Sequence, residues 1–221
     1  MILEVACFSE QAVNIALQAG AQRIEWCRQW QEGGTSPDLS QWSQIQNPNH
    51  IPIFAMVRPR GGDFVYDARE LENMIQTIHS AGECGVNGFV FGALTRSNEV
   101  DEEACHTLIQ AASGLPCTFH RAFDLVSKPD ESLLILNEMG FSRILTSGKP
   151  GKAIDEKEML QRLSYISTQT KILPGGGVRS DQLETWLNLG FDELHSSCIT
   201  QTNSEWPDPL EIQQFQRFNR Q

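Results

Sequence analysis

The sequence predicts an α/β fold, a single (β/α)8 barrel, on three observations. Short apolar runs rich in β-formers alternate with longer amphipathic stretches eight times along 221 residues. The phrases Leu17-Gln-Ala-Gly20, Asn137-Glu-Met-Gly140 and Leu187-Asn-Leu-Gly190 repeat one helix–glycine–strand joint. The triple-glycine turn Pro174-Gly-Gly-Gly-Val178 follows the seventh apolar run, where barrels often hold a phosphate. An open doubly wound sheet usually carries its glycine loop after the first strand, and there this chain has Phe8-Ser9-Glu10.

The first strand is expected over residues 2–7, an apolar run with Glu4 inside it. Ser9 caps a helix over 10–18, and Gly20 supplies the left-handed residue that ends it. Arg23-Ile-Glu-Trp-Cys27 is the second strand, with a helical pattern over 39–46 behind it. The third strand covers 51–57 and precedes a helix over 68–81, and the fourth covers 88–91 and precedes a helix over 102–112. The fifth strand, 117–120, leads to a helix over 131–138 with Asp130 as its cap and Gly140 at its end. Strand six spans 143–146 before a helix over 156–167. Strand seven spans 171–174 before a helix over 181–188, which lies between Ser180 as cap and Gly190 as stop. The eighth strand, 191–195, is followed by a last helix over 209–218 capped by Asp208. No linker or shift in composition marks a second domain, so residues 1–221 read as one domain.

Composition excludes several classes of function. Seventeen basic against 28 acidic residues give a net charge of −11, which argues against nucleic-acid binding and against a polybasic membrane anchor. No stretch approaches the roughly 18 apolar residues of a membrane span. The N-terminal Met-Ile-Leu-Glu-Val lacks the basic start of a signal peptide, so a cytoplasmic location is expected. Six cysteines stand apart with no Cys-x-x-Cys pair, as free buried thiols do. A homodimer suits a barrel of this size, although no apolar stripe singles out an interface.

Function in such a barrel belongs at the C-terminal ends of the strands. Strand alternation directs Glu4, Glu25, Arg58, His120, Glu193 and His195 to the interior or the mouth. His120 is the natural proton shuttle, with Glu4 or Glu25 orienting it or acting as a base. Arg58, Arg60 and Arg121 offer planar forks for a carboxylate or phosphate, and Asp63 and Asp124 are placed to anchor them. Gly175, Gly176 and Gly177, with His195, Ser196 and Ser197 after the eighth strand, can cradle an anion through backbone N–H groups. An enzyme or sensor for a small anionic metabolite is therefore one reading, with Glu25, His120, Arg121 and Asp124 as its catalytic set. Two others stay open: an interior ion-pair network, for example Glu25 with Arg58, and a divalent metal on Glu4, Glu25, His120 and His195. No Gly-x-Ser-x-Gly elbow supports a serine hydrolase.

Several of these segments stand together in one known family. Arg23-Ile-Glu-Trp-Cys27, Glu32-Gly-Gly34, Arg58-Pro-Arg-Gly-Gly-Asp-Phe64, Phe89-Val-Phe-Gly-Ala-Leu94, Thr118-Phe-His-Arg-Ala-Phe-Asp124, Leu145-Thr-Ser-Gly148, Pro174-Gly-Gly-Gly177 and His195-Ser-Ser197 resemble the CutC family of copper homeostasis proteins, in family order. The resemblance implies a TIM barrel and a role in copper homeostasis, with Cu(I) held by Cys7 and Cys27. Family members usually carry Glu-Leu-Cys where this chain has Glu25-Trp-Cys27, and a longer insertion after the eighth strand. Parity adds a condition to the copper site. Cys27 shares the inward face of strand two with Glu25, but Cys7 shares a face with Leu3 and Val5, opposite Glu4. The thiols meet only if the chain bends after Val5.

Overall fold

Parallel strands covered on both faces need apolar or internally paired side chains throughout, and nearly every strand residue here is buried. A computed structural model describes residues 1–202 and 204–216. Its strands are β1 (Ile2–Cys7), β2 (Arg23–Trp26), β3 (Ile53–Met56), β4 (Gly88–Phe91), β5 (Cys117–Phe119), β6 (Arg143–Thr146), β7 (Lys171–Pro174) and β8 (Glu193–Ser196). The helices are α1 (Glu10–Ala19), α2 (Ala68–Cys84), α3 (Glu102–Ala111), α4 (Pro129–Met139), α5 (Lys157–Ile166), α6 (Leu183–Asn188) and α7 (Pro209–Phe215). All strand pairs are parallel, in the order β7-β6-β5-β4-β3-β2-β1-β8, which curls into the expected barrel. The two ends of that order, β7 and β8, lie side by side without a hydrogen-bonded ladder. Side chains close this seam instead. Lys171 reaches Asp192 at 3.2 Å and Glu193 at 2.7 Å, and the Ser196 hydroxyl donates to the Val178 carbonyl at 2.8 Å.

The residues between barrel and helices form the main core, with Leu3, Val5, Ile24, Trp26, Phe89, Phe91, Phe119, Ile144 and Leu194 among them. A much smaller apolar cluster, Cys27, Phe54, Met56 and Val90 with Phe8 packed on it, lies inside the barrel. Strand register explains the division. Glu4 pairs with Arg23 and with His195, Glu25 with Phe54, and Phe54 with Gly88, so these residues share the inner face. Gly88 makes room for the Phe54 ring. A methyl there would meet that ring and lie 2.5 Å from the Pro116 carbonyl oxygen. The ring in turn carries the guanidinium groups of Arg143 at 4.6 Å and Arg23 at 5.8 Å.

Some expected boundaries move, for local reasons. The segment expected to be helical over 39–46 forms only a 3-10 helix, Leu39–Gln44, begun by the Asp38 carboxylate accepting from the Ser40 N–H. Its serines and glutamines have no strong helical preference, but Trp42 still covers Trp26 at 5.8 Å. Ser9 and Asp208 cap helices as expected. Asp130 does not: Lys128 is the cap, Pro129 opens α4, and Asp130 lies in its first turn. Ser180 opens a 3-10 turn, Ser180–Gln182, and its N–H and hydroxyl both donate to Glu211 of α7. The expected last helix is present to Phe215, and residues 217–218 of it lie outside the described residues. Among the described residues, no helix is long and apolar enough to cross a membrane.

Substituting Gly88→Ala forces the Phe54 ring or the Pro116 carbonyl to move, with an expected loss of about 1–3 kcal/mol in urea unfolding. Gly82→Ala near the end of α2 meets nothing within 4 Å and is expected to stabilise by about 0.5–1 kcal/mol. Equal effects at the two positions would contradict the packing described for Phe54.

Candidate functional site

The strand ends gather polar groups from five places around one cavity of about 220 Å³. Its walls include Glu25 from β2, Arg58 beyond β3, His120 and Arg121 beyond β5, Gly176 and Gly177 beyond β7, and His195, Ser196 and Ser197 at and beyond β8. Three of these side chains hold a buried polar atom with no hydrogen-bond partner among the described residues: Glu25 Oε1, Arg58 Nε and His120 Nε2. Buried groups of this kind call for a partner.

His120 has its tautomer set by the backbone. The Ala122 N–H donates to Nδ1 at 3.3 Å, so the neutral ring carries its proton on Nε2. Burial, and then the charge of Arg58, pushes its pKa down to about 3, so the ring is neutral near pH 7. Arg58 donates to the carbonyls of Glu32 at 2.6 Å, Gly34 at 3.0 Å and Gly62 at 2.9 Å, and the Tyr66 hydroxyl lies beside it. It has no carboxylate within ion-pair distance among the described residues. Phe64 lies between the two groups, with Arg58 over its face at 4.8 Å and His120 at 4.7 Å between ring centres.

Across the cavity an ionic chain rises from the base of the barrel. Lys171 pairs with Glu193, Glu193 with Arg23 at 2.7 Å, Arg23 with Glu4, and Glu4 accepts from His195 Nδ1 at 2.8 Å. Burial would raise the pKa of Glu4, but Arg23 and His195 outweigh it and hold the carboxyl at about 2. Burial would lower His195, but Glu25 and Glu4 outweigh that and raise it. Glu25 is the last member, its Oε2 3.9 Å from His195 Nε2. Burial raises it to about 7, with His195 only partly offsetting the effect. A carboxyl poised there can take and return a proton at neutral pH.

Arg121 and Gly176 build the third wall. Arg121 donates to Asp124 at 2.8 Å, to the Ser147 hydroxyl at 2.9 Å and to the Gly151 carbonyl at 3.3 Å. Asp124 does not line the cavity. It anchors Arg121 and accepts from the Thr146 hydroxyl at 2.6 Å and the Ser147 N–H at 2.9 Å. At Gly176, with φ of 106°, a Cβ would lie 3.2 Å from the Arg121 guanidinium carbon, so the bare backbone lets the two come together. The N–H groups of Gly176 and Gly177 have no acceptor among the described residues. Arg121 and these N–H groups can hold an anion between them.

Other expected site residues lie elsewhere. Arg60 is outside the cavity, paired with Glu70 and with Asp63 at 3.0 Å. Gly175 ends the strand, its N–H donating to the Thr146 carbonyl at 3.0 Å. The Ser196 hydroxyl is spent on the seam. The expected Glu25–Arg58 ion pair does not form, since Glu25 faces His195. Glu4, Glu25 and His195 have potential ligand atoms within 4.8 Å of one another, with His120 outside the group, but Glu4 is already committed to Arg23 and His195. Cys7 belongs to the outer core and Cys27 to the inner cluster, as parity requires. The Cys27 thiol donates to the Cys7 carbonyl at 3.3 Å and the Cys7 thiol to the Val5 carbonyl at 3.6 Å. Burial pushes both thiols well above their ordinary pKa. With one thiol in the outer core and the other in the inner cluster, the pair does not fit a shared copper in this arrangement of the wall. The cavity also has apolar walls that polar motifs did not signal: Phe8, Trp30, Met56, Phe64 and Leu145.

The CutC family model matches residues 1–200. A Pasteurella multocida family protein CutC is 39% identical over 209 residues, covering 94% of this chain and 86% of its own length. A human copper homeostasis protein cutC homolog is 40% identical over 206 residues, covering 92% of this chain and 75% of its own. The crystal structure of a putative copper homeostasis protein CutC from Streptococcus agalactiae aligns with a TM-score of 0.83 at 30% identity, covering 89% of this chain and 98% of that one. A Pyrococcus furiosus thiamine phosphate pyrophosphorylase, at 14% identity and a TM-score of 0.64, shares the barrel fold alone.

Glu25 fixes the sign of a pH effect. Its folded pKa lies above the ordinary 4.5, so its contribution is fully present below pH 4.5 and is lost as pH rises through about 7. Glu25→Gln removes that loss. The variant should gain unfolding free energy over wild type by about 2–3 kcal/mol between pH 5 and pH 8. A difference that is flat with pH in urea titrations would refute the assignment.

Proposed function

The chain belongs to the CutC family, and from that premise we propose that it serves copper homeostasis as a cytoplasmic protein whose working part is a small-anion site at the barrel mouth. The human and mouse relatives named for copper homeostasis support the broad role. The observation that carries the molecular reading is Arg58, a buried cation on the cavity wall that is held by carbonyls, the Tyr66 hydroxyl and an aromatic ring, with no carboxylate at ion-pair distance among the described residues. Its charge calls for an anion from outside the protein. Arg121 and the free N–H groups of Gly176 and Gly177 line the same cavity, suited to a carboxylate or phosphate oxygen. Glu25 then faces the bound molecule as an acid–base group, which suits an enzyme or a ligand sensor.

Direct copper binding through Cys7 and Cys27 is the other implied route. With the thiols on opposite faces of the wall, we expect anaerobic Cu(I) titration to give the same affinity for wild type and for a Cys7→Ser/Cys27→Ser double variant. A large loss of affinity in the double variant would restore the thiolate site. For the anion site, inorganic phosphate should raise the melting temperature of wild type, and Arg121→Gln should weaken phosphate binding about 10-fold or more, the loss of one charge-assisted contact. No effect of phosphate on wild type would count against the reading.

A further inference from the structure

We infer that this site deprotonates carbon: Glu25 removes a proton beside the carbonyl of a small oxo compound that bears one phosphate or carboxylate, while His120 and Arg58 hold the carbonyl oxygen. The inference rests on the anion-site reading and adds the reaction to it. The three unsatisfied buried atoms differ in kind. Arg58 Nε and His120 Nε2 are N–H donors, and both side chains flank the Phe64 ring. Glu25 Oε1 is an acceptor and proton carrier, on β2. The free N–H groups beyond β7 make a third wall beside Arg121. A ligand that satisfies all three walls has an electron-rich oxygen, an acidic hydrogen and an anionic tail. A cavity of about 150 Å³ holds benzene, so this cavity of about 220 Å³ suits roughly nine non-hydrogen atoms. That is an oxo acid or oxo phosphate of three to five carbons.

The other reaction classes lack their parts. No lysine or cysteine lines the cavity, so neither a Schiff base nor a thioester has its nucleophile. The Ser196 hydroxyl donates to Val178 and accepts from the Cys198 N–H, and the Ser197 hydroxyl accepts from the Ile199 N–H at 3.4 Å with no histidine or carboxylate bonded to it among the described residues. His120 stays neutral, which suits a hydrogen-bond donor to an enolate oxygen and not a proton donor. His195 is committed through Nδ1 to Glu4, and Glu25, with Oε1 unpartnered among the described residues, is left as the group placed to take a proton and give it back. The C–H electron pair becomes the C=C bond of the enolate as the carbonyl π pair moves to oxygen, where Arg58 and His120 stabilise it. The proton on Glu25 returns to the same carbon as the enolate collapses to the carbonyl. No electron acceptor is needed.

The test is hydrogen exchange at carbon, read by proton NMR in D₂O. Wild type is incubated with dihydroxyacetone phosphate in one arm and 2-oxobutanoate in the other, with buffer rates subtracted and binding of each compound measured by calorimetry. Loss of the C–H signal beside the carbonyl is expected in one arm, which also separates a phosphate-bearing from a carboxylate-bearing ligand. Glu25→Gln should bind that compound but exchange it at least 100-fold more slowly. His120→Asn should slow exchange while keeping binding. The wild-type rate should climb with pH through about 7 and then level, as Glu25 ionises. Binding without exchange would overturn the reaction and leave the anion site standing. Neither binding nor exchange in both arms would overturn the inference, and no response to inorganic phosphate either would remove the site with it.

Discussion

One carboxylate, Glu4, sets the charge of the barrel interior. It is fully buried on β1 and lies between Arg23 below and His195 above. An unpaired carboxylate at that depth would cost several kcal/mol. Arg23 compensates it, Glu193 balances Arg23, and Lys171 links Glu193 to solvent at the base of the barrel. Above it, Glu4 keeps His195 inclined to be protonated, and His195 lies close enough to Glu25 to moderate, without cancelling, the effect of burial. The Glu25 carboxyl at the mouth thus takes its character from a chain of ion pairs that begins at the opposite end of the barrel.

The opposite wall follows another rule. Arg58 and His120 each take backbone partners at one end and share the Phe64 ring, and among the described residues no carboxylate stands at ion-pair distance on that side. The cavity is consequently polarised, with paired charges on the β1, β2 and β8 side and an uncompensated cation across from them. A protein whose overall charge is −11 thus places two arginines, Arg58 and Arg121, on the wall of this cavity.

Much of this was legible in the sequence, and the particular residues show why. Eight alternating blocks give a barrel because alternation is a local property that packing later confirms. Strand parity separates Glu4 from Cys7, and that separation holds through the whole of β1. Arg58 and Arg60 look alike in sequence, but their fates differ. Arg60 is drawn off by Glu70, the same residue that closes the capping box of α2 with Asp67, a pairing ten residues away that no periodicity announces. Asp124 was foreseen as a partner for arginine, and its further bonds to Thr146 and Ser147 depend on β6 lying next to β5. Phe64, Trp30 and Met56 line the cavity, but apolar residues at strand ends read as core until the fold shows which of them face a void.

The missing ladder between β7 and β8 also bears on mechanics. Seven of the eight strand junctions are tied by main-chain hydrogen bonds, and a barrel closed that way is stiff in girth. Here the girth is set at one junction by the Lys171 contacts at the base and the Ser196 hydroxyl at the top. The compliance of the ring is therefore concentrated between the glycine turn that would hold an anion and the strand that carries His195. Widening the mouth at that junction would break no strand ladder, whereas on the side of Arg58 and His120 every strand is tied to its neighbours by main-chain hydrogen bonds.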